Sequence, residues 1–83
     1  MNTPVWFDRT KIRTTLDARP ILAAGDHPLQ RVMEECATLD IGEIYEIITP
    51  FPPVPMIEKL TALGFENYME PSSDGLFHTY FKR

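Results

Sequence analysis

Some residues in this chain have the chemistry to act on something or to hold it. The stretch AAGDHPLQRVMEEC, residues 23–36, opens on a polar mouth, Gly25-Asp26-His27-Pro28, and closes on the only cysteine. An imidazole changes charge near neutral pH as a residue type, so a histidine beside a carboxylate can move a proton or contact a ligand. Upstream, Asp17-Ala18-Arg19 sets a carboxylate and a guanidinium two residues apart. Two readings of Arg19 stand side by side. With the free N–H groups of Leu29 and Gln30 and the helix dipole, it would hold a small anion. Paired with Asp17 or Asp26, it would brace the loop. Downstream, TPFPPVP (Thr49–Pro55) is a stiff prolyl loop that carries Phe51 at its tip.

Other chemistries find less support. Cys36 lies eight residues after Pro28, about 12 Å along a helix. Nucleophilic thiols favour helix N-termini, and here the C-terminal dipole and Glu34 and Glu35 oppose a thiolate. Cys36 therefore reads as a small core hydrophobe. His27, His78 and Cys36 match no metal spacing, and no metal or cofactor is expected. No phosphate loop, nucleophile elbow or paired-histidine helix is present. An acid/base enzyme built on His27 and Asp26 would lack a nucleophile and an oxyanion donor set. The two P-x-x-P spacings lack a flanking basic anchor, so an SH3-type ligand is not expected.

Composition sets the remaining bounds. The 83 residues make one domain, with 43% hydrophobic residues. A chain of this size buries about 60–65% of its unfolded surface, so its core is limited. The net charge of −4 argues against general nucleic-acid binding. The charge is uneven: residues 1–31 balance at +2 and residues 32–83 at −6. No apolar run approaches the roughly 18 residues of a membrane helix. The start, MNTPVWFDRT, shows no basic region followed by an apolar stretch, so no secretory signal is expected. A lone cysteine fits a reducing cytoplasm.

The elements that must position these residues follow from periodicity. Residues 1–10 read as a lead-in whose Val5, Trp6 and Phe7 pack on the domain's edge, and residues 11–83 form the domain. KIRTTLD alternates as a half-buried strand, with Ile12, Thr14 and Leu16 on one face. Residues 18–27 make a connection with room for a short turn. Pro28 suits the first position of a helix, with Asp26 or His27 as its cap. Leu29, Val32, Met33 and Cys36 form its apolar face, and Gly42 is expected to end the segment. EIYEIIT reads as a central strand. A second helix begins near Pro53 or Pro55, with Met56, Ile57, Leu60 and Leu63 inward and Gly64 as its stop. Two further strands flank PSSDG, whose Asp-Gly predicts an antiparallel hairpin. In the last strand, Phe77 and Phe81 are read as core, and His78 and Tyr80 as exposed.

The order is β-α-β-α-β-β. Right-handed crossovers place both helices on one face of a four-stranded mixed sheet, giving a two-layer α/β sandwich of the α+β kind. The first two strands run parallel, so their C-terminal ends and both helix N-termini share one edge, where such sheets commonly bind ligands.

This order, with LDARP before a proline-started helix, LDIGE leading into the next strand, and TPFPPVP before the second helix, resembles the TusA/SirA-like sulfur-carrier fold. The closer likeness is to a bacterial family of TusA-related domains of unknown function, which shares Asp17-x-Arg19, His27-Pro28 and the prolyl loop. The likeness spans about residues 14–83. TusA-like carriers hold sulfur on the cysteine of a Cys-Pro-x-Pro at the first helix start. Here that motif falls on Gly25-Asp26-His27-Pro28, so only its last proline is kept and the carrier cysteine is missing. The resemblance also links the family to hemerythrin-like domains, which implies a setting of oxygen, nitric oxide or metals.

The favoured reading is a small binding or adaptor module without catalysis of its own. Its candidate site comprises Asp17, Arg19, Asp26, His27, Pro28, Thr49 and Phe51. Its partner would be an unidentified protein or a small anionic ligand, with neither nucleic acid nor membrane involved. The alternative is a sulfur-transfer or thiol-redox carrier that uses Cys36.

Overall fold

The computed structural model describes residues 3–83. Its elements are β1 (Ile12–Asp17), α1 (Arg19–Ala23), α2 (Leu29–Cys36), β2 (Ile44–Thr49), α3 (Val54–Ala62), β3 (Glu66–Pro71) and β4 (Phe77–Lys82). The strands form one mixed sheet in the order β1-β2-β4-β3. β1 and β2 are parallel, while β4 is antiparallel to both β2 and β3. This is the expected α+β architecture. The connection after β1 holds a helix of five residues, α1, where only a turn was expected.

The layering follows from the strand order. The crossovers β1→β2 and β2→β3 both step the same way across the sheet, so right-handedness brings α2 and α3 to one face. Cross-strand registers then fix what that face contains. Leu16 pairs with Ile47, which pairs with Thr79, and Tyr45 pairs with Phe81. These side chains point toward the helices and meet Val32 and Cys36 from α2 and Met56 and Leu60 from α3. The 3.6-residue spacing of Leu29, Val32, Met33 and Cys36 buries α2's apolar stripe as its sequence required.

Helix ends correct two expectations. α2 stops at Cys36, not near Gly42; the Thr38 hydroxyl donates to the Glu35 carbonyl and the chain turns back, burying Leu39. Gly42 instead lies in the turn before β2, where its N–H donates to the Arg83 carbonyl. The stop after α3 is as expected. Gly64 takes φ +96°, and the Gly64 and Phe65 amides donate to the Thr61 and Leu60 carbonyls. Leu63 becomes the cap of that helix and is 56% exposed, so it does not join the core.

The far face of the sheet differs more. Tyr80, expected in solvent, is 1% exposed. Residues 3–11 fold back across this face, and the Phe7 ring sits 4.5 Å from that of Tyr80. Phe7 thus packs on the sheet and the half-buried Trp6 sits edge-on to the Phe7 ring, whereas Val5 points fully into solvent.

Leu60 is fully buried at the centre of the helix–sheet interface. Leu60→Ala should cost about 2–5 kcal/mol, the range for deleting a buried leucine. Urea unfolding with an unchanged slope checks this; a loss below about 1 kcal/mol would place Leu60 outside the cooperative core.

Candidate functional site

The parallel pair β1–β2 directs its C-terminal ends toward one edge of the sheet. Two connections converge there: the α1–α2 turn, and the prolyl loop between β2 and α3. Between them lies a cleft of about 260 Å³. Its walls are Leu22, His27, Pro28 and Leu29 from one side, and Thr49, Phe51, Pro53, Pro55 and Met56 from the other. Nearly all of this lining is carbon, and His27 is its one titratable side chain.

Local chemistry explains how each wall is held. On the first side, α1 ends in a reversal: the Gly25 amide donates to the Leu22 carbonyl and the Asp26 amide to that of Ile21. Gly25 adopts φ +83°, a left-handed conformation that disfavours any side chain. Pro28 then opens α2 in the helical region, at φ −78°. Neither Asp26 nor His27 caps α2, contrary to expectation, because Pro28 occupies the cap position and no side chain accepts from the first turn. On the second side, Thr49 is buried, and its hydroxyl donates to the Phe51 carbonyl at 2.5 Å. That bond curls the loop and leaves Phe51 47% exposed at the mouth of the cleft.

The structure therefore brings together His27, Pro28, Thr49 and Phe51. It does not bring Asp17 or Arg19 to them. Asp17 follows Leu16 in a strand, so with Leu16 turned toward the helices Asp17 must face the other way. Its carboxylate takes Arg19 Nε and Nη2, at 3.0 and 2.7 Å, and the Arg19 backbone amide at 3.1 Å. Arg19 is thus a brace, and its bonding holds the Asp17 carboxyl down at about 2. Asp26 is exposed in the turn, and its side chain is not among the cleft-lining groups.

Cys36 is fully buried beneath α2. Burial, with the Glu35 carboxylate as a lesser cause, pushes its thiol up to about 12. Glu35 also accepts from the buried Tyr45 hydroxyl at 2.5 Å. Among the described residues no group of three or more His, Cys, Asp or Glu side chains is arranged to hold a metal ion. Among the described residues no helix is long and apolar enough to cross a membrane.

Sequence reasoning missed Leu22, Leu29 and Met56 as cleft walls, while Pro53 and Pro55 belong to the Thr49–Pro55 loop it placed at this edge. It also missed a polar row on the far face. There the Thr15 hydroxyl donates to Glu46, whose other oxygen lies 2.7 Å from His78 Nδ1. Registers alone would have revealed this row, since Thr15, Glu46 and Tyr80 lie directly opposite one another.

Fold and site define a two-layer α+β domain with an apolar cleft at the end of its parallel strands. In comparisons with known proteins, the chain matches no protein-family model, no curated protein and no solved structure.

Two measurements probe this geometry. Arg19→Ala should raise the Asp17 titration midpoint toward the ordinary aspartate range, read from its carboxyl carbon by NMR. The sign follows because the guanidinium stabilises the charged form; an unmoved midpoint would remove the brace. Cys36 should resist a thiol reagent in the native state at pH 8 and react at once in denaturant. Rapid native labelling would contradict its burial.

Proposed function

We propose that this chain is a small binding module of the TusA/SirA-like kind, related to the bacterial domains of unknown function named above and without catalysis of its own. The observation that carries this reading is the apolar cleft between the His27-Pro28 turn and the Phe51 loop. A concave apolar wall with one convergent polar group is what a binding site offers. The ligand is a small anionic molecule with an apolar body, or an equivalent apolar group on a partner protein. Its body fills the cleft, and His27, exposed at the rim, meets its polar end. A negative net charge supports a partner other than nucleic acid. The free, buried cysteine suits a cytoplasmic setting.

An NMR titration with small aromatic and aliphatic carboxylates tests this. Saturable shifts are expected at His27, Leu29, Thr49 and Phe51. Phe51→Ala should weaken binding roughly tenfold, about 1.4 kcal/mol, the scale of burying part of one aromatic ring. Shifts confined to the far face of the sheet would sink the site. Stable sulfur addition at Cys36 after treatment with a persulfide donor would overturn the binding-module reading in favour of a carrier.

A further inference from the structure

The sheet face away from the helices carries its own built surface, independent of the cleft. Tyr68 and Tyr80 are direct cross-strand partners, with Glu46 opposite Tyr80 on the next strand. Glu70 accepts from the Tyr68 hydroxyl at 3.0 Å and from the Tyr80 hydroxyl at 3.3 Å. The segment before β1 lies over this surface. Phe7 packs at 5.1 Å from Tyr68 and 4.5 Å from Tyr80, ring centre to ring centre. Arg9 reaches Glu70 at 2.7 Å and the Tyr80 hydroxyl at 3.0 Å, and its guanidinium lies 5.0 Å from the centre of the Phe7 ring.

The way this segment is held is unusual for part of a domain. Its backbone bonds close within itself: the Phe7 amide donates to the Pro4 carbonyl, and that of Lys11 to Asp8. Residues 9–11 make a single 3-10 turn, and among the described residues the one backbone hydrogen bond from residues 3–11 to a strand is local, from the Ile12 amide at the start of β1 to the Arg9 carbonyl; none reaches β2, β3 or β4. Phe7 and Arg9 hold it almost alone, with one long contact from Thr3 to the Tyr68 hydroxyl. The receiving side is the more buried partner. The Arg9 side chain is 61% exposed and that of Glu70 only 25%. Glu70 also keeps two tyrosine donors that belong to the sheet, so the acceptor stays oriented when Arg9 leaves.

We propose that Phe7-x-Arg9 is a detachable internal ligand, and that the Tyr68–Glu70–Tyr80 surface recognises an aromatic–x–arginine segment of a partner protein. The aromatic pair takes the ring and Glu70 takes the guanidinium, a charge-assisted and cation–π combination. The segment's tether gives it a local concentration in the millimolar range, so it competes with any partner of the same chemistry.

The test uses the full chain carrying Phe7→Ala with Arg9→Ala, labelled with ¹⁵N, and a synthetic peptide of residues 3–11, TPVWFDRTK. Saturable shifts are expected at Tyr68, Glu70 and Tyr80, with affinity about tenfold or more above that of the unaltered chain, whose own segment competes. The same peptide with alanine at its aromatic and arginine positions should not compete. A folded double variant without shifts at these residues overturns the proposal, as does equal affinity for the unaltered chain. If the double variant fails to fold, the unaltered chain decides. Acrylamide quenching of Trp6, the one tryptophan, should reveal opening while the strand amides stay protected from exchange. Exposure of Trp6 only on global unfolding overturns the proposal. Cleft binding is read at His27 and Phe51, at the edge of the sheet and away from this surface, so neither result stands in for the other.

Discussion

Strand β2 is the constraint on which the other elements depend. It pairs in parallel with β1 on one side and antiparallel with β4 on the other. Ile44, Tyr45, Ile47 and Thr49 leave almost nothing of it exposed. A strand buried on both faces reads as a nearly continuous apolar run, and IYEIIT has that character. Its single carboxylate, Glu46, is accommodated only because Thr15 and His78 hydrogen-bond to it. Burying a carboxylate without such partners would be costly.

Two consequences follow from the placement of β2. Parallel pairing with β1 demands a crossover, and the crossover delivers the α1–α2 turn to the C-terminal edge of the strands. The next crossover delivers the prolyl loop to the same edge. The cleft is thus a product of connectivity, and its prolines keep it stiff by fixing backbone angles. The second consequence is that both helices lie on one face, so the other face needs a cover. The segment carrying Phe7 and Arg9 provides it, which is why a strand with His78 and Tyr80 outward does not leave its tyrosine in water.

This division explains what could be read from the sequence. Periodicity located α2 and α3, the Asp74-Gly75 turn located the hairpin, and alternation located β1. Each of these is a local signal. The four residues that meet at the cleft lie at ends of elements that topology forces together, so they too were legible. For Asp17 and Arg19 the sequence left two readings open, an anion site and a mutual brace, and the brace is what forms. Alternation that turns Leu16 inward turns Asp17 outward, and a carboxylate two residues before an arginine forms a pair readily. The burial of Tyr80 was not legible, because it depends on a contact between residues 73 apart in the chain, counted from Phe7. No pattern within β4 encodes that partner. Gly42 misled for a related reason: a glycine marks a turn, but the turn it marks can belong to the strand that follows.

The backbone at Gly25 bears most directly on what the cleft can do. On the TusA/SirA-like kinship proposed above, this is the position of the sulfur-bearing cysteine. Here the reversal from α1 into α2 is made by a residue at φ +83°, with open space where a Cβ would stand. Space is therefore not what excludes a side chain; the backbone conformation is. A side chain placed at this position would strain the α1–α2 turn, and with it the His27-Pro28 wall of the cleft. The remaining thiol, Cys36, is sealed under α2 and resists ionisation. A carrier cysteine at this position and the present shape of the cleft thus work against each other within one backbone. At the rim stands the His27 imidazole, which under the proposed function meets a ligand's polar end through noncovalent contact alone.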